Sequence, residues 1–299
     1  MRALVTGAGG FVGPHLMTHL TEMGDTVDGV DMPHSVKQRP DLGLLPGPDL
    51  LDPDAWLEFV GDLRPDVIYH LAGWSDVGRS WQDPRTAWRV NTEGVLSVLD
   101  AARSHGVSRV VIVSSADVYG VVRPDQLPLT EGTAAEPRSP YGASKVGAET
   151  LARQYHRGWG LDVVIARPFN HIGPGQTPNF VAPAFALRIA ECELVGGGTV
   201  AHGDLSSRRD FTDVRDVVRA YRMLAAKGRA GETYNICSGV DVGMQELLDR
   251  LVHMARVPIA SSVNPDLLRP VELPVLRGSH DRITTHTGWM PSIPLEETL

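Results

Sequence analysis

Short runs of apolar residues alternate with longer segments of helical spacing through the first half of the chain. The apolar runs predict buried strands over Ala3 to Val5, Thr26 to Val30, Asp66 to Ala72, Val110 to Val113 and Leu161 to Ala166. Apolar residues three and four apart predict helices over Phe11 to Met23, Thr86 to His105 and Ser139 to Tyr155. This alternation is typical of a parallel sheet with helices packed on both faces.

The pattern changes after Arg167. Glycine and proline become frequent from Phe169 to Gly203, and the tail from Ile259 to Leu299 is rich in proline and short elements. Between these segments, the apolar spacing predicts a helix over Val214 to Ala226 and a strand over Thr233 to Cys237. The second half therefore differs in organisation from the first.

We predict an α/β fold with two lobes. Residues 1–168, joined by about 212–238, would form a doubly wound parallel sheet of the Rossmann type that binds NAD(P). Residues 169–211 and 239–299 would form a smaller C-terminal lobe of mixed α/β structure that binds the substrate.

The composition is that of an ordinary globular protein. The chain has 299 residues, of which 42% are hydrophobic and 21% charged, so it is long enough to bury a sizeable core. Its formal net charge is −8, which argues against nucleic acid as a partner.

Cysteine usage and hydropathy indicate the compartment. The only cysteines are Cys192 and Cys237, too few for a disulfide framework or a cysteine-based metal site, so we expect no metal and a reducing cytoplasm. No apolar run approaches the length of a membrane span, and the first residues lead directly into a strand. We therefore expect a cytoplasmic protein without a membrane partner.

Three glycines follow the first predicted strand at intervals of three residues. Gly7 permits a tight turn, Gly10 lets the backbone approach a pyrophosphate, and Gly13 lets the following helix pack closely on the strand. Phe11 and Val12 begin that helix, whose unpaired N–H groups would face the phosphates. Strand, glycine turn and helix in this order predict a dinucleotide site.

Asp31 ends the second predicted strand, at the distance from the glycines where an acidic residue binds the adenosine ribose. Its charge would accept hydrogen bonds from a ribose diol and repel a 2′-phosphate, so we predict NAD rather than NADP. The segment after it predicts a loop because it is rich in proline, with Pro33, Pro40, Pro46 and Pro48.

Tyr141 and Lys145 lie four residues apart on a predicted helix and therefore share one face. A neighbouring ammonium lowers the pKa of a phenol, so Tyr141 is a candidate general acid or base. Ser115 follows the strand Val110 to Val113, at the sheet edge where α/β proteins bind ligands, and would hydrogen-bond the same substrate oxygen.

The motifs TGAGGFVG, HLAG, SSADVYG and YGASK, with Asp31 and Asn91, together resemble the extended short-chain dehydrogenase/reductase family. The resemblance covers essentially the whole chain. It implies a catalytic triad of Ser115, Tyr141 and Lys145, with Lys145 also binding the nicotinamide ribose. It further implies a homodimer formed through the helices Thr86 to His105 and Ser139 to Tyr155.

The same resemblance assigns further positions to the cofactor. Asp49 and Leu50 would flank the adenine, Leu71 and Ala72 of the HLAG motif would line the site, and Asn91 would lie near the active site.

The substrate motifs resemble the nucleotide-sugar branch of the family. Asn170, in the run RPFNHIGPG, would reach the substrate phosphate or sugar, and Asn179 and Val181 continue that pattern. Arg209 offers planar donors suited to a diphosphate. The run Arg269 to Glu272 resembles the R-P-x-E element with which the GDP-mannose 4,6-dehydratase and GDP-4-keto-6-deoxy-mannose reductase group holds diphosphate and ribose. A GDP-linked hexose is therefore the expected substrate.

The residues leave the reaction open. A 4,6-dehydratase needs an acid and a base, and here the position next to Ala116 supplies one carboxylate, Asp117, which we also place in the catalytic site. The substrate motifs favour reduction of a 4-keto-6-deoxyhexose. Asp31 favours a redox-neutral isomerase (an epimerase, 4,6-dehydratase or pyranose/furanose mutase) that retains its NAD. A protein that only senses dinucleotide is a third class, against which the intact Ser115, Tyr141 and Lys145 argue.

Overall fold

A sheet of seven parallel strands forms the centre of the protein. The structure is a computed structural model, and it describes residues 1–268 and 274–299. The strands of this sheet are β1 (Arg2–Thr6), β2 (Thr26–Asp31), β3 (Leu45–Pro46), β4 (Val67–His70), β5 (Arg109–Val113), β6 (Val163–Pro168) and β10 (Thr233–Ile236). Their order is β3-β2-β1-β4-β5-β6-β10, so the strand order reverses between β1 and β4. The predicted doubly wound parallel sheet is confirmed.

Helices cover both faces of this sheet. They are α1 (Val12–Glu22), α2 (Pro33–Gln38), α3 (Pro53–Leu63), α4 (Val77–Ser80), α5 (Pro84–Trp88), α6 (Gly94–Ser104), α7 (Pro140–Trp159), α9 (Val214–Lys227) and α11 (Asp281–Thr287). On one face α1, α9 and α11 bury side chains such as Leu16, Tyr221 and Ile283 against the strands. On the other, α3, α6 and α7 bury Trp56 and Leu99. Full burial of each such side chain contributes roughly 1.5–3 kcal/mol.

The predicted helix over Thr86 to His105 contains an irregularity. It forms as α5, a π-helical turn over Arg89–Glu93, and α6 in direct succession. A π turn accommodates one extra residue in the helix, and it is common at functional sites. Asn91 and Thr92 of this turn are buried against α7.

A second lobe packs at the carboxyl end of the large sheet. Its remaining strands and helices are β7 (Asn170–Ile172), β8 (Gly198–His202), β9 (Arg208–Asp213), β11 (Asp241–Gly243), β12 (Ile259–Val263), β13 (Val275–Leu276), α8 (Val181–Leu194), α10 (Met244–Met254) and α12 (Leu295–Thr298). β9 pairs with β7, β11 and β13, and β8 pairs with β12. Phe185, Ile189 and Leu247 form part of the core of this lobe.

Single-turn 3₁₀ helices complete the regular structure at Pro40–Leu42, Ala116–Tyr119, Pro124–Gln126 and Pro265–Leu267. The segment after Asp31 is not the simple loop that its prolines predicted, because Pro46 lies in the strand β3, Pro33 in the first turn of α2 and Pro40 in the first turn of a 3₁₀ helix. Proline is favoured there, since its missing N–H has no partner in a first turn.

Across residues 1–268 and 274–299, no helix is long and apolar enough to cross a bilayer. Within the same residues, no group of three or more His, Cys, Asp and Glu side chains is placed to hold a metal ion.

Candidate active site

The glycine loop between β1 and α1 lies at the point where the strand order reverses. Gly7 has a φ of 68°, and a Cβ there would lie 2.7 Å from the backbone of Ala72. A Cβ at Gly13 would lie 2.3 Å from the carbonyl oxygen of Ala8, so no larger residue fits where α1 packs on the loop. The loop therefore touches the predicted cofactor residues Leu71 and Ala72 after β4.

Asp31 is bound to this loop. The N–H of Gly9 donates to Oδ2 of Asp31 at 2.8 Å, and the N–H of Met32 donates to Oδ1 at 2.7 Å. A Cβ at Gly9 would lie 3.0 Å from Oδ2. Sequence reasoning missed Gly9 because it stands outside the spacing of three. The carboxylate that was expected to bind ribose is thus held against the glycine loop.

The HLAG motif anchors the loop from the neighbouring strand. Thr6 Oγ1 pairs with Nδ1 of His70 at 2.9 Å and accepts from the N–H of Ala72 at 3.2 Å. Complete burial, together with the charge of Lys145, lowers the pKa of His70 to about 3. His70 is therefore a neutral structural side chain at physiological pH.

Ser115 and Asp117 begin the 3₁₀ turn that follows β5. Ser115 Oγ donates to Oδ2 of Asp117 at 3.0 Å and accepts from the N–H of Asp117 at 3.1 Å. Withdrawal from solvent raises the pKa of Asp117, although Ser115 and the positive charge of Arg209 oppose the rise.

Tyr141 lies at the start of α7, where its side chain is buried beside this turn, close enough for Ser115 to act on its pKa. Its N–H donates to Oγ of Ser80 at 3.2 Å, a contact that the sequence did not reveal. Burial raises the pKa of Tyr141 well above its usual range, and the Asp117 carboxylate raises it further. The predicted lowering by Lys145 is therefore wrong for the protein alone, because burial outweighs the neighbouring cation.

Lys145 lies one turn further along α7. Its Nζ donates to the carbonyl oxygen of Val113 at 3.0 Å and lies 5.8 Å from the centroid of the Tyr141 ring. Burial lowers the pKa of Lys145 to about 8, and the Glu149 carboxylate opposes that fall. The structure thus brings Ser115, Tyr141 and Lys145 together at the carboxyl end of β5.

Asn91 fixes the loop after β4 to the same helix. Its Oδ1 accepts from the N–H of Trp74 at 2.8 Å, and its Nδ2 donates to Trp74 O at 3.1 Å and to Ser144 Oγ at 2.9 Å. Ser144 in turn donates to the carbonyl oxygen of Tyr141 at 2.6 Å. Asn91 therefore links the backbone of Trp74, through Ser144, to the backbone of Tyr141.

Asp49 and Leu50 follow the edge strand β3. Asp49 Oδ1 accepts from the N–H of Leu51 at 2.9 Å, which stabilises a turn. The carbonyl oxygen of Leu50 accepts from Ser97 Oγ at 2.7 Å, and its side chain packs close to Gly94. This acidic turn lies beside α6, the helix that continues from Asn91.

The predicted substrate residues lie in the second lobe. Asn170 is exposed on β7, in register with Phe211 of β9. Asn179 is exposed just before α8, which Val181 begins. Arg209 lies on β9, close enough for its charge to act on Asp117. Arg269 and Glu272 fall outside the described residues.

Comparison with known proteins identifies the family. Residues 4–299 match the family model described as GDP-mannose 4,6 dehydratase. The chain belongs to this family. The predicted resemblance to nucleotide-sugar enzymes of the extended short-chain dehydrogenase/reductases is thereby confirmed.

Relatives in this family catalyse different reactions. GDP-6-deoxy-D-mannose reductase of Pseudomonas aeruginosa is 38% identical, over 100% of this chain and 94% of the relative. The structure of RMD from Pseudomonas aeruginosa complexed with NADPH has a TM-score of 0.85 at 36% identity, covering 100% of this chain and 96% of that one. The Thermus thermophilus UDP-glucose 4-epimerase complex with NAD has a TM-score of 0.85 at 28% identity, covering 100% and 96%. The family scaffold thus serves both reductases and epimerases.

Proposed function

We propose that this enzyme reduces the 4-keto group of a GDP-linked 4-keto-6-deoxyhexose with a nicotinamide cofactor. The observation that carries the proposal is the cluster of Ser115, Tyr141 and Lys145 at the carboxyl end of β5, beside the glycine loop that holds Asp31. The similarity over the full chain to GDP-6-deoxy-D-mannose reductase supports the choice of substrate.

The bound nicotinamide would supply the hydride that C4 of the sugar receives. Tyr141 donates its phenolic proton to the C4 oxygen as the carbonyl becomes an alcohol, and Ser115 orients that oxygen by a hydrogen bond. The Lys145 ammonium stabilises the phenolate that remains and returns a proton to it. The protonated state of Tyr141, which burial favours, is the state that this direction of reaction requires.

We propose NAD as the cofactor. The glycine loop fits a dinucleotide, since Gly9 presents only backbone towards the Asp31 carboxylate. That carboxylate would accept hydrogen bonds from a ribose diol and would repel a 2′-phosphate. The Pseudomonas aeruginosa structure holds NADPH, so the preference of this enzyme between NADH and NADPH tests the proposal directly.

The charge argument predicts how preference changes. Replacing Asp31 by Ala and adding a cation with Met32→Arg should raise kcat/KM for NADPH relative to NADH by about tenfold or more, since it removes a repulsive charge and adds an attractive one. Steady-state kinetics with both cofactors measures the ratio. A wild-type enzyme that prefers NADPH would refute the argument.

The second lobe would hold the nucleotide. We propose that Asn170, Asn179 and Val181 line the substrate cleft and that Arg209 binds the diphosphate. By resemblance, Arg269 would add a second contact to the diphosphate and Glu272 would bind the ribose of the nucleoside.

One observation favours a second function. Asp117 has a raised pKa and hydrogen-bonds the same Ser115 that would hold the sugar oxygen, so it is placed as an additional acid or base. A redox-neutral epimerase, dehydratase or mutase would use such a group and would retain its cofactor.

Product analysis separates the two functions. The enzyme is incubated with GDP-4-keto-6-deoxymannose and with a panel of other GDP-hexoses, with and without NADH or NADPH, and the products are identified by NMR. A reductase consumes one reduced cofactor for each 6-deoxyhexose formed. Conversion without cofactor consumption would overturn the reductase in favour of the redox-neutral reaction.

A further inference from the structure

A buried ionic cluster lies directly behind the catalytic residues and has no role in the proposed reaction. Its centre is the carboxylate of Glu149, which is 1% exposed and lies one helical turn beyond Lys145 on α7. Arg167, which is 3% exposed, pairs with it through two hydrogen bonds of 2.6 Å. An ion pair this deeply buried rarely improves stability over apolar packing, so it calls for another explanation.

The cluster forms hydrogen bonds to both ends of the turn that carries Ser115 and Asp117. Before the turn, Ser114 Oγ donates to Glu149 Oε1 at 2.6 Å. At the end of the turn, Arg167 donates to the hydroxyl of Tyr119, its last residue, at 3.0 Å. The catalytic turn is therefore tied at each end to the same buried pair.

The cluster also reaches the substrate loop. Arg167 lies on β6, three residues before Asn170, which we propose lines the substrate cleft. Arg153 Nη2 donates to Glu149 Oε2 at 2.6 Å from the next turn of α7, so four donor groups surround one carboxylate. These contacts join one helix and two strand ends at a single point.

We propose that Glu149 is a positioning residue, which holds the turn bearing Ser115 and the strand leading to Asn170 against the helix bearing Tyr141 and Lys145. This inference rests on the proposed function for its kinetic readout. Glu149 touches neither substrate nor cofactor in this role, and it acts through Ser114, Arg167 and Lys145.

Electrostatics give the role a signature that packing alone would lack. Burial raises the pKa of Glu149, but the hydrogen bonds and charge of Arg167, with Ser114 and Arg153, outweigh it and hold the pKa below its usual range. The ionised carboxylate in turn opposes the burial that lowers the pKa of Lys145. The other titratable groups that face Lys145 are Tyr141 on α7 and neutral His70 at the end of β4; Asp117 faces Tyr141.

The test compares two variants of the full chain with a matched control. Glu149→Gln removes the charge and should lower kcat at neutral pH about tenfold. It should also move the alkaline limb of the kcat–pH profile to lower pH by about one unit. The KM for the GDP-sugar should change little. Ser114→Ala keeps the charge and should lower kcat by about threefold or more with the limb unmoved. Asp25→Asn is the control, because it breaks a buried pair with Arg222 (2.6 Å) in the turn that leads into the amino end of β2. It should leave kcat and the limb unchanged.

A direct titration makes the result independent of activity. The chain has three lysines, at positions 37, 145 and 227, so ¹³Cε-labelled lysine gives three signals, of which Lys145→Met identifies one. The Lys145 signal should titrate at lower pH in Glu149→Gln than in wild type. If wild type fails to reduce the GDP-sugar but this shift occurs, the proposed reaction fails and Glu149 still acts on Lys145. An unshifted Lys145 signal overturns the proposal. If Glu149→Gln does not fold, Ser114→Ala decides instead, and a wild-type kcat in that variant overturns the proposal.

Discussion

Burial sets the ionisation of Tyr141 and Lys145, the proposed catalytic side chains. Tyr141 and Lys145 are both withdrawn from water, which disfavours the charged form of each, so it raises the pKa of the phenol and lowers that of the ammonium. Sequence reasoning included the neighbouring cation and omitted the burial, because a spacing of four residues reports proximity and says nothing about solvent.

Removal of the phenolic hydroxyl should separate chemistry from binding. Tyr141→Phe deletes the proton donor but keeps the ring, so turnover should fall by about two to four orders of magnitude with little change in affinity for the GDP-sugar. Stopped-flow kinetics and calorimetric titration measure the two quantities. Unchanged turnover would mean that the reaction does not use this proton donor.

The lowered pKa of Lys145 gives two predictions about pH. Reduction requires the ammonium, so kcat should fall as pH rises through about 8.

In the window between about 8 and the ordinary value of 10.5, the unfolded chain binds a proton that the folded chain has lost. The contribution of Lys145 to stability therefore rises with pH in this window, whereas below it the buried charge costs stability. Comparison of denaturant unfolding for wild type and Lys145→Met across this range checks the sign, and a difference independent of pH would contradict it.

At the level of elements, the sequence predicted the pieces that carry strong periodicity. β1, β5 and α7 were found because parallel strands are continuously apolar and helices repeat every 3.6 residues. The π turn was not found, since one extra residue leaves the apolar pattern on each side intact. α8 and α10 were also missed. Frequent glycine and proline around α8 obscured its pattern, and no element was predicted between Cys237 and Ile259, where α10 lies.

The π turn predicts a specific defect. Asn91→Ala removes three hydrogen bonds and takes these partners from the N–H and carbonyl of half-buried Trp74, while Ser144 Oγ keeps its bond to Tyr141 O. The loss should cost about 1–3 kcal/mol of folding free energy and lower kcat. Thr92→Ala is the matched control, since it removes one buried hydrogen bond to Ser144 O without releasing Trp74. Urea unfolding and kinetics distinguish them, and equal kcat in both variants would contradict a role in the site.

On the scale of the whole molecule, α9 joins the two lobes. It begins at Val214, directly after Asp213 at the end of β9, and it packs along α1 on one face of the large sheet. Asp216 in its first turn accepts from the N–H groups of Ser292 and Ile293, so the tail is tied to the same helix. The sequence predicted this helix from its apolar spacing, whereas the attachment of the tail rests on contacts between distant residues.

We expect the enzyme to be a homodimer through the helices that begin at Pro84 and Pro140. Trp88 is 44% exposed on this surface, and burying such an aromatic side chain in an interface is favourable. Light scattering at micromolar concentration should give twice the chain mass of 32.4 kDa. Trp88→Glu should shift the equilibrium towards monomer, while Leu194→Glu, at the exposed end of α8, should not. A monomeric wild type would refute the expectation.

The extra residue in the π turn also fixes the rotation of α5 about the helix axis relative to α6. Each residue of an α-helix advances by about 100°, so the turn sets the helix before it at an offset from the helix after it. Asn91, within the turn, donates to Ser144 on α7, while Trp88, just before the turn, is 44% exposed. A deletion of one residue between 89 and 93 would rotate every side chain upstream of it relative to those downstream. The length of this segment is consequently as much a part of the active site as the identity of its side chains.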